Sequence, residues 1–154
     1  NAAAFAESGR QLGFSNMRIV SEDLGVASAT KMCRSVIVKG MEALVTESLL
    51  SARHYGVEAA VLESLDNLFP GPEWHQHARY LISRTLQHGE RRAAEMLEAA
   101  RTVEEAGYNG WMCNATVMRQ AWAPQFSEAL GEESLEGILD AISSEFVNKQ
   151  SEVA

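Results

Sequence analysis

Apolar and polar positions along this chain follow a helical period almost from end to end. Residues 2–12 predict a helix stopped by Gly13. The apolar run 17–20 predicts a single strand, and residues 21–25 a loop. A long helix follows over about 25–55, with Gly56 as a left-handed cap. Residues 57–68 predict a short helix, broken by Pro70, Gly71 and Pro72. Pro72 suits the first turn of the next helix. Two helices are expected over 73–86 and 90–106, separated at His88 and Gly89. In the second, Ala93, Met96, Leu97, Ala100 and Val103 keep the i, i+3, i+4, i+7 spacing. Gly107 closes it. Helices over 110–120, extendable to Trp122, and over 134–147 complete the series and leave 148–154 as a loose tail. The expected fold class is all-α, with about six helices arranged on one long central helix and a short strand left over near 17–20.

The long helix has an unusual pattern. At about 100° per residue, Ser28, Lys31, Ser35, Lys39, Glu42 and Thr46 share an arc of about 80°. Most of the remaining cylinder is apolar, including Met32, Cys33, Val36, Ile37, Met41 and Leu44. A surface helix carries the opposite balance. The stripe has two readings: a substrate-facing patch about three turns long, or the thin solvated edge of a core helix whose lysine stems reach water. Gly40 lies opposite the stripe. A mid-helix glycine costs about 1 kcal/mol against alanine, which implies close approach of another helix there.

Composition narrows the function classes. With 154 residues, 46% of them apolar, the chain can bury the core of one ordinary domain. A formal net charge of -8 argues against nucleic acid as a partner. No apolar run is long enough to span a bilayer, so no membrane partner is expected. The chain opens on Asn1 without a basic-then-apolar leader. Cys33 and Cys113 stand far apart in sequence and read as two buried thiols of a reducing cytosol, hence a cytoplasmic protein. His75 and His77 would point about 200° apart on a helix, so no metal site is expected. A lone strand at 17–20 needs partners and suggests a sheet upstream of Asn1.

Other chemistry-bearing motifs are missing. There is no GxGxxG or phosphate-loop pattern, so this chain by itself offers no nucleotide site. No GxSxG elbow or cysteine–histidine pairing occurs. Arg91 and Arg92, at an expected helix start, read as ordinary surface arginines. Trp74, Trp111 and Trp122 read as core or interface anchors.

The stretch Gly25-Val-Ala-Ser-Ala-Thr-Lys31-Met-Cys-Arg-Ser35, followed by Lys39-Gly40 and Glu47, resembles the start of the C-terminal helical domain of the β-hydroxyacid dehydrogenases. That superfamily includes the 6-phosphogluconate dehydrogenases. Residues 31–50, 88–107 and 111–122 resemble its less characterised branch, whose C-terminal domain is described as phosphogluconate-dehydrogenase-like. The resemblance is specific around Lys31 and weaker after Pro124.

The resemblance implies that residues 1–21 are the last helix and strand of an N-terminal Rossmann domain. Residues 22–154 would then form an all-α domain that completes the substrate site and makes a homodimer. NAD or NADP would be bound mainly by the domain upstream. Lys31 corresponds to the family's catalytic lysine, a general acid/base at the substrate hydroxyl. Ser28, Ser35 and Lys39 would line the substrate side. Ser35 replaces the family's asparagine, and Lys39 replaces a substrate-contacting tyrosine, which suggests an anionic small-molecule substrate. Ala94 and Glu95 occupy the place of a Lys-Asp pair found near the cofactor in many members, so that role is not carried over. The implied function is NAD(P)-dependent oxidation or reduction of a small hydroxy acid or related alcohol. The alternatives are imine-reductase-type chemistry on the same fold, or a non-catalytic helical dimerisation or binding module.

Overall fold

A computed structural model of the chain describes residues 2–153, and side chains as far as residue 148. The fold is all-α. Its helices are α1 (Ala2–Gln11), α2 (Val26–Tyr55), α3 (Glu58–Leu68), α4 (Trp74–Glu105), α5 (Trp111–Trp122) and α6 (Leu135–Val153), with a 3-10 segment at Ala123–Gly131. Gly25 enters α2 in the left-handed region at φ 91°. At the other end Gly56, at φ 67°, donates its N–H to Arg53 O, and Val57 donates to Ala52 O.

Three expected elements are corrected. Among the described residues there is no strand, and residues 17–20 run as irregular chain. With no neighbouring strand in this chain, their backbone has nothing to pair with. Met17 instead packs under Gly9 of α1. The second correction is that 73–86 and 90–106 form one helix of 32 residues. His88 and Gly89 do not interrupt it, because Gly89 is where another backbone comes closest. A Cβ built there would stand 2.2 Å from Gln120 O and under 3 Å from the Pro124 ring. Glycine is therefore a packing requirement and not a stop signal. Close approach was expected at Gly40. That residue is buried, but a Cβ there would meet only Thr116 Oγ1, at 4.0 Å. The third correction is at the C-terminus, where α6 runs to Val153 and not into a loose tail.

The core has two parts, both crossed by α4. The larger is built on Leu49, Ile82, Leu86, Phe126, Ile138 and Ile142. The smaller gathers Met32, Met96, Ala99, Ala100 and Cys113. Between them lies a buried polar network. Arg92 donates to Glu42 Oε2, and Gln120 Nε2 donates to the same oxygen at 3.1 Å and to Lys39 O at 3.4 Å. The arginine expected on the surface is thus inside. Cys33 is the reverse case: expected buried, it is exposed, while Cys113 is buried and its thiol is pushed up by that burial. Trp74 belongs to the core, Trp122 packs on Phe126, and Trp111 stands in solvent. No described helix is long and apolar enough to cross a membrane.

A charged clamp ties four helix ends together. Arg53 donates to both Asp140 oxygens, at 2.7 and 2.6 Å, and to Glu58. His75 Nε2 lies 2.8 Å from Glu136 Oε1. The bonds from Arg53 hold Asp140 below the ordinary carboxylate range. Glu58 is lowered by its own backbone N–H and then by Arg53, and Glu136 by His75. Depressed carboxylates contribute stability above their ordinary values of 3.8 and 4.5, and that contribution is lost as pH falls through and below them. We therefore expect stability to denaturant to decline between about pH 5 and 3. Arg53→Met should make that decline shallower. An unchanged acid slope in the variant would remove the clamp as its source.

α1 does not pack on any other helix among the described residues. It leaves Phe5 exposed, with Leu12 and Phe14 exposed just beyond it. On α2 the apolar back is also exposed at Ile37 and Leu44. It flanks an apolar groove of about 570 Å³ whose lining includes Met41, Leu44, Val45, Phe69, Trp74 and His77.

Candidate functional site

The polar stripe of α2 is turned inward over most of its length. Ser35, Glu42 and Thr46 are buried, while Ser28 and Lys31, in the first two turns, are exposed. The solvated-edge reading therefore fails from Ser35 onward. Two contributions explain the inversion. The polar groups meet partners on α4 and α5, and Thr46 Oγ1 satisfies itself by donating to Glu42 O at 2.7 Å.

Lys39 is central to the site. Its side chain is only 12% exposed, and Nζ donates to Ser35 Oγ at 3.1 Å. Nζ also lies 2.7 Å from Glu95 Oε2. Arg91, one turn before Glu95 on α4, reaches the other oxygen of that carboxylate. Burial would push Glu95 up. The bond from Lys39, and the charges of Lys39, Arg91 and Lys31, outweigh it and hold the carboxyl below its ordinary 4.5.

The arrangement brings together three of the four residues that sequence reasoning selected: Lys31, Ser35 and Lys39. Ser28 sits one turn further out. Glu95 joins them, although the sequence marked it only as a departure from a family pattern. Its available signal was the i, i+4 spacing from Arg91. Lys39 is not a free cation awaiting an anion, because an internal carboxylate already engages it. Chemically, the patch holds a carboxylate among three cations, with one amine, Lys31, open to solvent.

Residues 52–123 match the family described as a domain of unknown function, DUF1932. The match takes in α3, α4 and α5, including Arg91 and Glu95, but not Lys31 or Lys39. No curated protein matches the chain. Among solved structures, a conserved hypothetical protein from Sinorhizobium meliloti 1021 is 39% identical, with a TM-score of 0.80. The likeness covers 93% of this chain and 48% of that one. This chain thus spans about half the length of the protein it resembles.

Proposed function

We propose that this chain is the substrate-binding half of a homodimeric NAD(P)-dependent oxidoreductase acting on a small hydroxy acid or related alcohol, with Lys31 as its general acid/base. The observation that carries this reading is the cluster of Lys31, Ser35 and Lys39 against Glu95, which spans both long helices and leaves the Lys31 amine accessible. The DUF1932 match and the half-length likeness support a helical domain that works beside another. An unpacked α1 with exposed aromatics is what a remnant of that other domain would leave.

The residues present fit a shared site better than a complete one. On the polar stripe at this end of α2, Ser28 and Lys31 are open to a ligand, and no glycine-rich phosphate-loop sequence accompanies them. A nicotinamide held by the upstream domain would supply the hydride acceptor or donor. This chain's contribution is then the proton. Lys31 takes it from, or returns it to, the substrate hydroxyl oxygen. Ser28 lies about one turn from Lys31 on the same side and can donate to a substrate oxygen. Lys39, bonded to Ser35 Oγ, holds Glu95 in place behind the site.

In the complete protein, with NAD or NADP and a hydroxy-acid substrate, Lys31→Ala should lower turnover by about 10² or more. Near-normal turnover would take Lys31 out of the mechanism.

A further inference from the structure

One arginine breaks the rule that the others keep. Among the described residues, five arginines are buried or half-buried: Arg53, Arg79, Arg84, Arg92 and Arg119. Arg53 is bound to Asp140 and Glu58, Arg92 to Glu42 and Arg119 to Glu47, while Arg79 donates to Glu132 O at 2.8 Å. Among the described residues Arg84 alone of the five has no acceptor for any guanidinium nitrogen; its Nε is enclosed and unpaired, as are those of Arg79, Arg92 and Arg119, whose other nitrogens are bound. Enclosing part of a guanidinium without an acceptor is costly, and here it happens in a chain rich in carboxylates.

Arg84 also has company. Counted from Arg84 at about 100° per residue, His88 lies near +40° and Arg91 near -20°. The three share one strip of α4 about 10.5 Å long, at 1.5 Å per residue. His88 is half-buried between the two arginines. Burial, and then the charges of Arg84 and Arg91, hold its imidazole below the ordinary 6.5, so the charges acting on it are both cationic. The nearest carboxylate along the strip is Glu95, one turn beyond Arg91 and already engaged by Lys39. Arg91 reaches Glu95 Oε1, but its side chain is 60% exposed, so a phosphate would compete with that carboxylate for it.

We propose that Arg84, His88 and Arg91 form an oxyanion site on α4 that takes a phosphate group. Two guanidinium groups present paired donors that match phosphate oxygens, and the imidazole between them adds a third donor. With a net charge of -8, the protein as a whole repels anions, so phosphate affinity needs a local cluster of cations such as this strip. The site shares Arg91 with the Glu95 cluster but does not use Lys31, and it does not depend on the oxidoreductase reading.

The test is a titration of inorganic phosphate into the chain at fixed pH and fixed ionic strength, with chloride as the exchanged anion. The readout is the His88 imidazole resonances. A saturable shift in the millimolar range is expected, weakened at least about tenfold in Arg84→Gln and unchanged in Lys31→Ala. If Arg84→Gln does not fold, Arg91→Gln, a change at an exposed side chain, should weaken binding in the same sense. A linear response no different from chloride would overturn the site. So would native-like phosphate binding in the folded arginine variant.

Discussion

Gly89→Ala is expected to lower unfolding free energy by about 3 kcal/mol, the upper part of the usual range for overpacking a filled core. Helix propensity points the other way, since alanine in place of a mid-helix glycine gains about 1 kcal/mol. Geometry decides the sign. The added methyl would stand 2.2 Å from Gln120 O, a backbone atom of α5, and 2.7 and 2.8 Å from Pro124 Cγ and Cδ. None of these is the far end of a flexible side chain, so the 3-10 segment would have to move away from α4. Gly40→Ala is the internal comparison. Its methyl meets only Thr116 Oγ1 at 4.0 Å, so the propensity gain should survive and the variant should be as stable as the parent or more so. Urea unfolding of both variants makes the measurement. A Gly89→Ala protein as stable as the parent would mean that the α4–α5 contact is looser than described.

Arg92→Leu should be at least as damaging, at about 3–5 kcal/mol, because it leaves the Glu42 carboxylate buried without its cation. Glu42 is 1% exposed, and its remaining donor is Gln120 Nε2 at 3.1 Å. In the variant, burial without the guanidinium favours the protonated acid, so its folded-state pKa rises above the unfolded value. The deficit should therefore shrink as pH is lowered through that raised value. Removing both charges as Glu42→Leu with Arg92→Leu should recover most of the loss, since a well-packed apolar pair can replace a buried ion pair at little cost. Unfolding curves of the single and double variants across pH decide it. A double variant as unstable as Arg92→Leu would assign the loss to packing and not to the stranded charge.

The helices were legible because the 3.6-residue period is a local property, and ends such as Gly56 carry their own backbone signal. Gly89 was misread because the same residue type serves as a helix stop and as a contact point. Only the position of Gln120 O, thirty-one residues away, tells the two apart. The strand expected at 17–20 failed for a related reason: its apolar residues are real, but pairing is a property of neighbours. In the site, the α2 stripe was visible as an arc, and its direction was not. Nothing in residues 28–46 says that Glu42 faces an arginine fifty positions later. Glu95 was hidden among many surface-pattern carboxylates until α4 was brought against Lys39.

The two ion pairs between α2 and α4 also act as a gauge of how far one rod has slid past the other. Lys39 and Glu42 are spaced by three residues, as are Arg92 and Glu95, and the helices run antiparallel so that each cation meets an anion. A slide of three residues, about 4.5 Å, in one direction sets Glu42 opposite Glu95. A slide of the same size in the other direction sets Lys39 opposite Arg92. Either misalignment replaces two attractions with a like-charge encounter in a poorly solvated seam. Apolar side chains such as Met32 and Met96 tolerate some displacement, but this checkerboard of four charges does not. It is what keeps Lys31 at a fixed height above α4.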